Sequence, residues 1–127
     1  MYKAGTVAEL ENLGLGNKVP VEVYQEAHRI VRMLDENFGD GRDVDEEDGG
    51  FVLVIENKED LANFCKDYVE MDSPTREYVE FLPTTKEPYF NVFFLYNEYE
   101  FGITLLIPMS IVPENLLEEF KHETIET

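Results

Sequence analysis

The sequence predicts an α+β domain of two layers, with a mainly antiparallel four-stranded sheet and helices mostly on one of its faces. Three observations carry this reading. Residues 89–108, YFNVFFLYNEYEFGITLLIP, contain an almost wholly apolar run followed by an alternating one. In the second run Tyr99, Phe101, Ile103, Leu105 and Ile107 share one face, and Glu100, Gly102 and Thr104 the other. That is the period of a half-buried strand, and Asn97-Glu98 fits a two-residue hairpin loop. Residues 51–55, FVLVI, are apolar on both faces, as a central strand is. Residues 20–38 repeat apolar positions at Val23, Ala27, Ile30, Leu34 and Phe38, the stripe of a helix of about five turns.

The other elements follow in chain order. Thr6 with Glu9 three residues on matches a capping box, so a short helix begins there and Gly14 ends it. Pro20 opens the long helix and Gly39 closes it. Residues 39–50, GDGRDVDEEDGG, hold four glycines and six acids against one arginine, which predicts an exposed loop. Asn57 caps a further helix that buries Leu61, Phe64, Cys65 and Tyr68 and ends near Met71. Residues 76–82 form a strand with Val79 and Phe81 towards the core. Pro108 ends the last strand, Pro113 opens a short helix with Leu116, Leu117 and Phe120 inward, and the polar tail 121–127 frays. The predicted order is α-α-β-α-β-β-β-α. The last three strands form a meander, which the 51–55 strand joins through a helical crossover.

A chain of 127 residues with 43% apolar and 30% charged side chains fits one domain able to bury a core without staples. One cysteine leaves no internal disulfide, and this fits a reducing, cytoplasmic compartment. No run approaches the roughly 18 apolar residues of a membrane span. The outstanding quantity is charge. Twenty-eight acids against ten Lys plus Arg give −18. The stretch 35–48 alone carries eight acids and one arginine. Such a surface repels nucleic acid and anionic membrane, and it favours a cationic partner, a metal ion or plain solubility.

No motif names a reaction. His28 lies at the edge of the long helix's stripe and His122 in the polar tail, and neither has a second ligand at metal spacing. Cys65 sits within a helical stripe, where Asp60 and Asp67 are expected to raise its pKa rather than activate it. Ser73 and Ser110 lack a nucleophile-elbow frame. A calcium register runs from Asp45 through Glu47 to Glu56, but its fifth position is Gly49, and the helix it requires would start within the FVLVI strand.

The expectation is therefore a small, non-catalytic acidic protein that engages a basic protein surface, as inhibitors and immunity proteins do, one version being a nucleic-acid mimic. Its contact residues are expected in the acidic loop: Asp40, Asp43, Asp45, Glu46, Glu47 and Asp48. The alternative is a cation- or ligand-binding regulatory domain, with Ca2+ held by Asp45, Glu47 and Glu56. A homodimer through an open sheet face or edge strand is a third reading. If the aromatic strand 89–96 is instead central, both faces of the sheet are covered, by the long helix on one side and the termini on the other.

Overall fold

A strand that is apolar on both faces needs cover on both, and the strand at 50–54 decides the architecture. The computed structural model describes residues 1–38, 50–70, 73–96 and 101–125. In chain order the elements are β1 (Tyr2–Ala4), α1 (Val7–Asn12), α2 (Val21–Phe38), β2 (Gly50–Val54), α3 (Lys58–Phe64), β3 (Thr75–Leu82), β4 (Tyr89–Tyr96), β5 (Phe101–Pro108) and α4 (Glu114–Ile125). Five strands form one sheet in the order β1-β2-β5-β4-β3. β2 and β5 run parallel, and the other pairs are antiparallel.

The fold is α+β, with two corrections to the sheet. The expected four antiparallel strands become five in a mixed sheet, because β1 adds to β2 and β2 lies parallel to β5. The helices also do not favour one face. Ala4, Val52, Val54 and Leu106 pack with Leu10, Val23, Ala27, Val31 and Leu34 of α1 and α2. Phe51, Leu53, Ile55, Phe90, Val92, Ile103, Leu105 and Ile107 pack on the opposite face with Phe64 of α3 and Phe120 of α4. Every residue of β2 is buried, so each parity of that strand feeds a different core.

Local signals account for the helix ends. The Glu9 amide donates to Thr6 Oγ1 at 3.1 Å, and Glu9 Oε1 accepts from the Thr6 amide at 3.1 Å, completing the capping box. The Val7 amide donates to Asp35 Oδ2 at 3.0 Å, so the first acid of the 35–48 run ties α1 to α2. Pro20 and Pro113 stand just before α2 and α4, and their carbonyls accept from Tyr24 and Leu117. The Asp60 amide donates to Asn57 Oδ1 at 2.9 Å, capping α3. After Phe64 that helix widens: the Glu70 amide reaches back five residues to the Cys65 carbonyl at 2.8 Å. α4 runs from Glu114 to Ile125.

The described rungs of the hairpin run as far as Tyr96↔Phe101, a register two residues away from the one that a loop at Asn97-Glu98 implies. A slip of two residues keeps every side chain on its face, so the hydrophobic alternation fixes the face but not the rung. Residues 97–100, including Asn97 and Glu98, lie outside the described residues. Val79 is buried, as expected, whereas Phe81 is 46% exposed because β3 is the outermost strand.

Where β2 begins, Gly50 has φ +124° and pairs with Gly102 so closely that a Cβ would collide with the Gly102 carbonyl oxygen. Gly50→Ala is expected to destabilise the fold by about 2 kcal/mol or more. Gly16→Ala, which meets nothing within 4 Å, should stay within about 0.5 kcal/mol of the parent. Denaturant midpoints check both.

Candidate functional site

Side chains converge in a groove on the first face of the sheet, where α2 lies over the inner strands and leaves β3 and the far half of β4 beside it. The groove holds about 490 Å³. Arg29, Ile30 and Met33 form its helical wall, and Tyr78, Glu80, Phe93 and Leu95 its floor and outer rim. The register explains the floor. Tyr78 pairs with Phe93 and Phe93 with Thr104, so these side chains lie in one row across three strands. The Tyr78 and Phe93 rings meet at 5.4 Å and 51°. Tyr78 is 43% exposed and Met33 45%, so the groove carries an aromatic and a flexible apolar side chain at its mouth.

Polar groups stiffen the helical wall. Glu26 Oε1 accepts from Arg29 Nε at 2.6 Å, and Glu26 Oε2 accepts from Asn91 Nδ2 at 2.7 Å. The Arg29 guanidinium does most to hold the Glu26 carboxyl below its ordinary pKa, against the opposing effect of burial, and the Asn91 amide adds to it. Glu26 in turn raises the pKa of Arg29. Burial and then the nearby Glu80 raise the pKa of the Tyr78 hydroxyl, which stays protonated at neutral pH. A carboxylate only accepts, so Asn91 must turn its NH2 towards Glu26. Its Oδ1 is left buried without a partner among the described residues.

A second cavity of about 190 Å³ lies on the opposite face between α3 and α4, walled by Leu61, Phe64, Phe94, Leu116 and Phe120. It adjoins a wider cleft of about 530 Å³ that reaches Lys58, Ser110 and Glu114. Cys65 stands between the two, at the start of the widened helical turn. Burial pushes its thiol pKa up, with a smaller push from Glu70 rather than from the expected Asp60 and Asp67. A raised pKa is the reverse of what an activated nucleophile needs.

The residues singled out in the sequence are distributed as follows. Asp40, Asp43, Asp45, Glu46, Glu47 and Asp48 lie outside the described residues, as does the Asp45–Glu47 part of the calcium set. Glu56 is exposed and accepts from the Tyr2 hydroxyl at 3.1 Å. Gly50–Val54 is strand, which occupies the positions where an EF-hand loop turns into its exiting helix. Among the described residues no group of three or more His, Cys, Asp and Glu converges. His28 is half-buried against the Tyr24 ring at 6.2 Å, and His122 is exposed on α4. Among the described residues no helix is long and apolar enough to cross a membrane.

Sequence reasoning did not find the groove. One signal for it was present: Asn91 is the single polar residue in YFNVFFLY, and a lone amide in a buried strand must have a partner. No family model, curated protein or solved structure matches the chain.

Asn91→Asp would set a second carboxylate against Glu26 in a buried site and should cost about 3 kcal/mol at neutral pH. Glu26 itself gives a pH test. Its folded pKa lies below the ordinary 4.5, so its contribution is present above that value and disappears as pH falls through the folded value. Glu26→Gln should therefore be less stable than the parent at neutral pH, with the gap closing in acid. Parallel thermal melts check this, and a gap that persists down to about pH 3 would contradict the assigned shift.

Proposed function

We propose that this chain is a small acidic, non-catalytic binding protein that engages a basic surface on another protein in the cytoplasm, in the manner of an inhibitor or immunity protein. The observation that carries this reading is the net charge of −18. Its placement supports the reading further. Glu11, Glu36, Glu59, Asp67, Glu70, Glu77, Glu80, Glu114, Glu118 and Glu119 are all exposed, on several different elements. A field of one sign steers a basic partner and rejects acidic ones. The acidic segment with Asp40, Asp43, Asp45, Glu46, Glu47 and Asp48 is the densest run of acids in the sequence, and the aromatic floor of the groove offers the apolar contact that charge alone lacks. In the mimic version of this reading the carboxylates stand where a basic groove normally holds phosphates.

The test uses the tagged chain to retain proteins from its own host's lysate at low salt, with a rising salt gradient and identification by mass spectrometry. A basic protein released sharply by salt is expected, because exposed charges are screened within about 8 Å at physiological ionic strength. Neutralising all six acids to Asn or Gln should leave the melting temperature unchanged and slow association by at least about tenfold. A partner that is not basic, or binding indifferent to salt, would overturn the reading. A melting temperature that rises by several degrees with millimolar calcium, and only in the parent, would favour the cation-binding alternative at Asp45, Glu47 and Glu56 instead.

A further inference from the structure

Given the reading of a basic partner, on which this inference rests, we propose that the partner docks as an extended strand added to the outer edge of β3. β3 is the last strand of the sheet, and among the described residues no strand pairs with its outer side. It is eight residues long, whereas β1, at the opposite edge, has three. A strand of that length offers a row of backbone donors and acceptors with which an extended chain can pair.

The side chains of β3 define what such a chain must look like. Tyr78 and Glu80 lie on the groove face, with the Tyr78 ring tilted against that of Phe93. Phe81 lies on the opposite face, its ring against Phe90 at 6.2 Å. Neighbouring strands place side chains opposite one another. On the groove face an added strand would set its residues beside the Tyr78 ring and the Glu80 carboxylate. That pair suits arginine or lysine, by cation–π contact and charge. On the other face the added residues would meet Phe81, which suits an aliphatic side chain. The partner segment therefore alternates basic and aliphatic residues. Glu77, at the bulge where the register shifts between Arg76 and Tyr78, adds a further carboxylate along the same edge.

Charge also selects the occupant. A second copy of this chain would bring −18 against −18, so the carboxylates that welcome a basic strand discourage self-pairing.

The probe is a ten-residue peptide of alternating Arg and Val, added to the full-length chain at low salt, with amide hydrogen exchange read along Thr75–Leu82. The expected result is saturable binding with β3 amides slowed by at least about tenfold. The same peptide methylated at every backbone nitrogen keeps its charge but has no N–H to donate, and it should bind at least about tenfold more weakly without protecting β3. Glu80→Gln, at an exposed position on the same face, should weaken the unmethylated peptide by removing a carboxylate from the edge while leaving the melting temperature unchanged. Equal binding of both peptides, with β3 exchange unaltered, would overturn strand addition and leave the basic-partner reading standing. No binding of either peptide at low salt would overturn both. Protection of β3 that appears without peptide as protein concentration rises would assign the edge to a second copy and overturn the inference.

Discussion

The parallel pairing of β2 with β5 is the interaction on which the rest of the structure depends. It joins β2, apolar on both faces, to β5, which adds Ile103 and Leu105 to one face and Leu106 to the other, from Phe51↔Ile103 to Val54↔Leu106. Buried on one face only, this pair would leave Phe51, Leu53, Ile103 and Leu105 in water, at about 1.5–3 kcal/mol for each large side chain. Helices are therefore required on both sides. α1 and α2 cover one face and α3 and α4 the other, and the remaining strands extend the sheet outwards from this pair. The close approach of Gly50 and Gly102 at its mouth belongs to the same constraint.

How legible this was depends on the range of the signal. The Thr6 capping box, the α2 stripe and the Asn57 cap lie within a few residues of sequence, and each appears in the structure where it was read. The β3-β4-β5 meander follows from short connections between alternating strands. β1 did not show, because three residues carry no periodicity and Tyr2–Ala4 are strand only through their pairing with Val52, Leu53 and Val54. The two-sided cover was implicit in FVLVI, since apolar residues of both parities demand it, yet the helices had been assigned mainly to one side. The groove was invisible for a simpler reason. Glu26, Tyr78 and Asn91 come from three elements scattered along the chain, and only the sheet register and the packing of α2 bring them together.

The polar wall of that groove also shows how the chain combines high charge with a conventional core. Among the described residues most carboxylates are exposed, where each costs little. Glu26 is drawn inward and held by one guanidinium and one amide, an arrangement that satisfies the carboxylate but leaves the Asn91 oxygen unmet among the described residues. That residual polarity lies under the helix flank that faces the exposed aromatic rim. On the flank between α2 and the outer strand, the Glu80 carboxylate stands with the aromatic side chains of Tyr78 and Phe93.

The distance along the chain between the two central strands has a consequence for biogenesis. Gly50 meets Gly102, so about two-fifths of the chain's length separates the start of β2 from its mate. During synthesis β2 emerges with both apolar faces exposed and waits for β5, while the helices that precede it can cover only one of them. Closing such a long loop is slow compared with forming helices or hairpins. Until the hairpin arrives, an unpaired FVLVI segment is available to other nascent chains. The many carboxylates then act before any partner is met. They keep incomplete chains apart by mutual repulsion for the interval in which the sheet has no centre.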